Sequence, residues 1–100
     1  MNIQITSRKF KAKDSLKDFI KEELTNLGKF SESILEANVI LSFTHPKESI
    51  KTAEINLSLP GNILNVSESS EDFGKSVSLA VAKLERQLKK LKTKKLAKVR

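Results

Sequence analysis

The sequence predicts an α+β domain in which two helices cover one face of a four-stranded mixed sheet. Four segments alternate apolar and polar residues, which is the pattern of half-buried strands. Two other segments repeat apolar residues every three or four positions, as amphipathic helices do. The order β-α-β-β-β-α and a length of 100 residues suit one two-layer domain with a single core.

The first strand and the first helix are predicted from the N-terminal third. Ile3 and Ile5 share one face of a strand over residues 2–6. Asp14 is the candidate N-cap of the helix that follows. The apolar residues of this helix form one stripe: Leu16, Phe19, Ile20, Leu24, Leu27 and Phe30.

Three more strands are predicted at residues 37–44, 52–59 and 62–69. A long helix connects the first two strands, so we expect these to be parallel neighbours, whereas the later short turns suit antiparallel hairpins. Pro60-Gly61 is the strongest turn signal. The helix-free face of the sheet should carry polar residues: Gln4, Ser42, Glu54, Asn56, Ser58 and Asn65.

The second helix, with Asp72 as its N-cap, is predicted to have two different sides. At about 100° per residue, one arc packs on the sheet through Phe73, Val77, Ala80, Val81, Leu84, Leu88 and Leu91. The other side carries a basic stripe of Lys83, Arg86, Lys90 and Lys94, with Lys75 near its start. Lys89 and Lys92 border the apolar arc on its other edge.

The charge is concentrated at the C-terminal end. Residues 1–82 carry 10 basic and 11 acidic side chains, whereas residues 83–100 carry 9 basic and one acidic. One or two cations would satisfy the helix dipole, and Lys-rich surface helices are common. Nine neighbouring cations repel one another, and a polyanion relieves that repulsion. The pattern therefore favours a partner such as nucleic acid over a merely solvated face.

Catalysis, cofactors and membranes are disfavoured by the residue inventory. His45 is the single histidine and cysteine is absent, so neither a catalytic dyad nor a nitrogen or sulfur metal site is expected. The three glycines are isolated and form no phosphate loop. No segment is as apolar as a signal peptide or membrane span. We expect a cytoplasmic binding protein without a small-molecule substrate; a membrane-surface helix is disfavoured because Leu84, Leu88 and Leu91 continue the buried arc.

The segment KLERQLKK at residues 83–90 and the Asp72-Phe73 helix start resemble the ribosome hibernation-promoting factors, a family that includes ribosome-associated inhibitor A. The likeness covers nearly the whole chain: it begins at Ile3-Gln4-Ile5-Thr6, includes the Gly61 turn and ends at about residue 95. The resemblance implies a fold like that of double-stranded RNA-binding domains. It also implies a protein that occupies the messenger and transfer RNA sites of the small ribosomal subunit and keeps idle ribosomes inactive.

The resemblance assigns binding of ribosomal RNA to five basic residues of the second helix: Lys83, Arg86, Lys89, Lys90 and Lys92. Lys94 is added to this predicted site as a member of the basic stripe. Residues 1–95 would form the ribosome-binding domain and residues 96–100 a basic tail. The expected partners are the small subunit and its RNA, with a small ribosome-modulating protein as a further candidate. The free protein should be monomeric.

Two positions depart from the family pattern. Gly74 stands where the family usually has Tyr, and Glu23 stands where it often has Lys. The chain resembles the short class, which does not pair ribosomes alone; helping a partner to form ribosome dimers and silencing single ribosomes both remain open. A generic binder of double-stranded RNA is the alternative function, since it would share the fold and the charge.

Overall fold

The computed structural model describes the backbone of residues 1–30, 33–45 and 50–99, and their side chains except those of residues 30, 44, 45 and 92–99. Within these ranges the chain forms four strands and two long helices in the order β-α-β-β-β-α, which confirms the predicted fold. The elements are β1 (Asn2–Ser7), α1 (Asp14–Leu27), β2 (Glu36–His45), β3 (Ile50–Leu59), β4 (Asn62–Ser70) and α2 (Phe73–Val99).

The strands lie in the sheet in chain order, β1-β2-β3-β4. β1 runs parallel to β2, whereas the pairs β2–β3 and β3–β4 are antiparallel, as predicted. Val39, Ile55 and Val66 lie opposite one another across three strands. Gly61 has a φ of 72° in the turn between β3 and β4, a conformation that side-chain-bearing residues adopt at a cost.

The core lies between the sheet and the two helices, which pack on the same face. Each inner strand contributes three fully buried residues: Ala37, Val39 and Leu41 from β2, and Ala53, Ile55 and Leu57 from β3. The helices cover them with Ile20, Leu24, Leu27, Val77, Ala80 and Leu84, all at most 1% exposed. Burying each of the valine, isoleucine and leucine side chains among them stabilises the fold by roughly 1.5–3 kcal/mol.

The two helix starts differ from each other. The Asp72 carboxylate accepts a hydrogen bond from the backbone N–H of Lys75 at 3.0 Å, so the predicted cap of α2 is confirmed. The predicted Asp14 cap is wrong: Lys13 occupies the N-cap position without a side-chain hydrogen bond, and Asp14 is the first helical residue. Asp14 is thereby limited to favouring the helix dipole.

The apolar stripe of α1 is only partly buried. Ile20, Leu24 and Leu27 are buried as predicted, but Phe19 is 37% exposed because it lies at the margin of the stripe, facing the start of α2. The side chain of Phe30, also assigned to the stripe, lies outside the described residues.

α2 continues to Val99, so the backbone of residues 96–99, assigned to a tail, is helical. The functional division at residue 95 stays a prediction. None of the helices in the described part of the chain is long and apolar enough to cross a membrane.

Candidate nucleic-acid interface

The inner side of α2 fixes the helix to the sheet. Val77, Ala80 and Leu84 are fully buried, and Leu88 is 4% exposed, while Val81 and Leu91 are partly buried. This is the apolar arc that the sequence predicted. Four turns of the helix are therefore immobilised by the core, and the side chains on the opposite side project from a rigid support.

A hydrogen-bonded serine anchors the N-terminal end of α2. Ser76 is fully buried, and its hydroxyl donates to the backbone carbonyl oxygen of Lys51 in β3 at 2.7 Å. It also lies 2.8 Å from the hydroxyl of Ser70 at the end of β4. Sequence reasoning missed this residue, because a serine beside an apolar arc does not reveal that a strand carbonyl lies within reach.

The outer side of α2 carries the predicted stripe. Lys83, Arg86 and Lys90 are all exposed, and Lys83 and Lys90 are seven residues apart, or about 10 Å along the helix at roughly 1.5 Å per residue. Lys94 belongs to the same helix, but its side chain and that of Lys92 lie outside the described residues. The structure thus brings three of the six predicted residues onto one exposed side.

The predicted cations differ in their partners. The Lys83 ammonium lies 2.7 Å from a Glu68 carboxylate oxygen of β4, and Lys89 lies 3.4 Å from Glu85 one turn earlier in α2. In the described part of the chain, no carboxylate is within ion-pair distance of Arg86 or Lys90. Of the predicted cations with described side chains, these two are available to an anion without the loss of an ion pair.

Lys89 is exposed at the edge of the outer side, about 60° round α2 from Arg86. It pairs with Glu85, which lines a small groove between α1 and α2 together with Glu23 and Ser78. Ser78 donates to the Glu23 carboxylate at 3.2 Å, so Glu23 contributes to the contact between the helices. The departure at position 23 thus places a negative charge beside α2.

The opposite face of the sheet has a different chemistry. Along the described strands it carries two acidic side chains, Glu36 and Glu54, and no basic one. Cross-strand hydrogen bonds connect its polar groups: Asn65 donates to Glu54 at 3.0 Å and to Asn56, and Thr52 lies 2.8 Å from Ser69. The predicted polar face is present, and the one lysine of the described strands, Lys51, lies on the helical side.

Three phenylalanines form a cluster where the starts of the two helices meet. The Phe10 ring stacks on Phe73 with centroids 5.0 Å apart, and Phe43 meets both edge-on at 5.1 and 5.4 Å. The Lys51 ammonium lies 5.9 Å from the Phe43 centroid and donates to the Glu71 carbonyl at 3.0 Å. Such ring pairs contribute about 0.5–1.5 kcal/mol each in addition to the burial of apolar area. The three contacts therefore stabilise the packing between the β1–α1 connection, β2 and the start of α2.

A groove of about 800 Å³ opens beside this cluster. Its walls come from the β1–α1 connection, the first turns of α1 and the first turn of α2. Four of the residues that line it are lysines: Lys11, Lys13, Lys51 and Lys75. Lys75 was noted in the sequence as the start of the basic stripe, whereas the other three come from segments with no distinctive motif.

Metal binding has no support in the described residues, where no three His, Asp or Glu side chains come close enough to hold an ion. None of the described ionisable side chains is buried. Each fully buried side-chain nitrogen or oxygen atom in these ranges has a hydrogen-bond partner. The exposed cations on the outer side of α2 can bind anionic oxygens through charge-assisted hydrogen bonds.

Comparison with known proteins identifies one family and several relatives whose names refer to the ribosome. The family described as Sigma 54 modulation protein / S30EA ribosomal protein matches residues 3–96. The chain is 31% identical over 96 residues to the ribosome hibernation promotion factor of Bacillus subtilis, covering 94% of this chain and 50% of that protein. It is 32% identical over 94 residues to ribosome-associated factor Y of Haemophilus influenzae, covering 94% of this chain and 85% of that protein.

A third relative, the ribosome hibernation promotion factor of Deinococcus radiodurans, is 28% identical over 92 residues, covering 90% of this chain and 48% of that protein. The chain thus spans about half the length of the Deinococcus and Bacillus proteins.

Solved structures share the fold closely. The crystal structure of the Thermus thermophilus Protein Y N-terminal domain superposes with a TM-score of 0.80 at 32% identity, covering 91% of this chain and 99% of that one. A ribosomal subunit interface protein from Coxiella burnetii gives 0.81 at 27% identity, covering 93% and 99%. With the match over residues 3–96, these likenesses show that the chain belongs to the Sigma 54 modulation protein / S30EA ribosomal protein family, the family of the ribosome hibernation promotion factors.

Proposed function

We propose that this protein binds the small ribosomal subunit through the outer side of α2 and inhibits translation by occupying the decoding region. The observation that carries the proposal is the uncompensated pair Arg86 and Lys90 on a helix side held rigid by Leu84 and Leu88. Relatives of the chain are named as ribosome hibernation and ribosome-associated factors, which supports the ribosome as the source of the anion.

Ribosomal RNA phosphates are the proposed ligands of the basic stripe. Arg86 can hold one phosphate with two parallel hydrogen bonds, whereas Lys90 acts as a point charge. Such contacts supply affinity and orientation without reading bases. Discrimination between ribosomal RNA and other RNA then comes from the shape of the domain, since structured RNA is recognised largely by its surface.

In this proposal, translation is inhibited because the bound domain excludes messenger RNA and transfer RNA from their sites. A domain seated where messenger and transfer RNA bind would compete with both, and its release would restore an unmodified ribosome. The protein would then act as a cytoplasmic binding protein without catalysis, monomeric when free. A small ribosome-modulating protein remains the candidate second partner, and Lys89, Lys92 and Lys94 would add further phosphate contacts.

The test is cosedimentation with purified small subunits, large subunits and whole ribosomes at near-physiological salt. We expect the protein in the small-subunit and whole-ribosome fractions, and we expect transfer RNA to compete for the same complex. Recovery at the top of the gradient would refute the proposal. The same gradients show whether ribosomes become paired or stay single.

Naked duplex RNA separates the proposed function from the alternative. A generic double-stranded RNA binder should be displaced from ribosomes by a comparable concentration of duplex sites. We expect a ribosome-specific factor to stay bound under those conditions. Equal affinity for both would favour the generic function.

A further inference from the structure

The groove beside the phenylalanine cluster has the chemistry of a nucleotide site. Its apolar wall includes Phe10, Phe19 and Phe73, and its rim carries cationic side chains such as Lys13 and Lys75. Asp72 is its one acidic lining residue. Its volume of about 800 Å³ lies inside the roughly 300–1,000 Å³ of small-molecule sites.

Phe19 gives the groove an available aromatic surface. Whereas Phe10 and Phe73 stack on each other and Phe73 is only 7% exposed, Phe19 is 37% exposed and is outside the cluster of three rings. Unpaired RNA bases stack on aromatic side chains of this kind, with little dependence on base identity.

Gly74 keeps the groove open. Its φ is not in the left-handed region, so the backbone does not demand glycine there. A Cβ at this position would lie 3.8 Å from the Phe19 ring and 3.1 Å from an Asp72 carboxylate oxygen. Any larger side chain would extend over the groove, so the missing side chain leaves the Phe19 ring accessible from the α2 side.

The groove is continuous with the basic side of α2. Lys75 lines the groove and lies 11 residues before Arg86, which is three helical turns and about 16 Å along the same side of α2. A strand of RNA whose phosphates follow the exposed cations would therefore reach the groove at the start of the helix.

We propose that this groove accepts one unpaired base of a single-stranded RNA segment, stacked on Phe19, with the adjoining phosphate held by Lys75 and Lys13. The proposal rests on the proposed binding of RNA and adds a base contact to the phosphate contacts of α2. Net positive charge around an aromatic wall matches a nucleotide, which combines an anion with a flat ring.

The test uses fluorescein-labelled RNA hexamers, one with all bases and one with an abasic site at a central position. We expect the abasic hexamer to bind the wild-type chain roughly 5- to 150-fold more weakly, the range that one stacked base supplies. Amide signals of residues 74, 75 and 19 in two-dimensional NMR should shift with the intact hexamer. Adenosine monophosphate serves as the free-nucleotide probe and inorganic phosphate as the anion-only probe.

Two variants test whether the groove causes the difference in affinity between the intact and abasic hexamers. Phe19→Ala removes the stacking surface, and Gly74→Leu fills the groove while raising helix propensity. In both we expect the difference between the intact and abasic hexamers to disappear. Ser67→Leu makes a comparable addition at an exposed site on the helix-free face of the sheet and should keep the difference.

Equal binding of the two hexamers by the wild-type chain would overturn the proposal, as would a base preference unchanged in both Phe19→Ala and Gly74→Leu. Ribosome cosedimentation distinguishes this failure from failure of the proposed function. If ribosome binding depends on Arg86 and the hexamers do not discriminate, the groove proposal alone fails. If the hexamers discriminate without ribosome binding, the proposed function fails.

Discussion

Replacing Arg86 and Lys90 by glutamine removes two exposed α2 cations for which the described residues offer no ion-pair partner. Each phosphate contact contributes roughly 0.7–0.9 to the slope of log affinity against log salt, depending on the form of the nucleic acid. We expect the double variant to lower that slope by about 1.4–1.8. Between 1 M and 0.1 M salt, this difference grows to roughly 25- to 60-fold in affinity at the lower salt.

A matched control comes from the ion pair at 2.7 Å between Lys83 and Glu68. Replacing both by glutamine leaves the net charge unchanged and removes a pair that contributes about 0–1 kcal/mol at the surface. We expect this variant to keep a slope within about 0.5 of wild type, since Lys83 must leave Glu68 before it can contact a phosphate.

The assay is fluorescence anisotropy with small subunits at several salt concentrations. Because cysteine is absent, a single Ile63→Cys substitution on the helix-free face, 68% exposed, gives one labelling site away from α2. The reasoning is refuted if the Lys83/Glu68 control loses as much affinity as the Arg86/Lys90 variant. A double variant with an unchanged slope would equally remove these two residues from the interface.

Three stability predictions follow from the anchoring of the helices. Ser76→Val should destabilise the fold by about 1–3 kcal/mol, because it removes the buried hydroxyl that bonds the Lys51 carbonyl and the Ser70 hydroxyl; urea unfolding followed by circular dichroism measures this, and an unchanged midpoint would contradict it. Asp72→Ala should cost about 1 kcal/mol through loss of the cap, and Asp14→Ala clearly less; equal losses in thermal unfolding would refute the assigned caps. Leu84→Ala should cost about 2–5 kcal/mol, and a loss below 1 kcal/mol would show that the centre of α2 is loosely packed.

The sequence predicted the fold well because local periodicity and connection length determine most of it. Alternation predicted the strands near residues 37–44, 52–59 and 62–69 and the polar residues of their helix-free face, and the long connection through α1 made β1 and β2 parallel. The Asp14 cap was wrong because Lys13 and Asp14 are neighbours, and helix starts shift by one residue without changing the apolar pattern.

The candidate interface was only partly predictable. The helical repeat placed Lys83, Arg86 and Lys90 on one side of α2, but it could not separate compensated from uncompensated cations. The pairing of Lys83 with Glu68 depends on how α2 crosses β4, which is a tertiary feature. The groove likewise combines segments far apart in sequence, and Phe19 gave no sign that it would be exposed, since its spacing fits the buried stripe.

The contrast between the two faces of the domain affects how it meets its partner. The helical side carries the cations, while the described strands present Glu36 and Glu54 without a basic residue on the far side. A polyanion therefore turns the approaching domain before contact, because one face is attracted and the other repelled. For the proposed binding of RNA, salt should then slow association more than it speeds dissociation, and most encounters should begin with α2 facing the RNA.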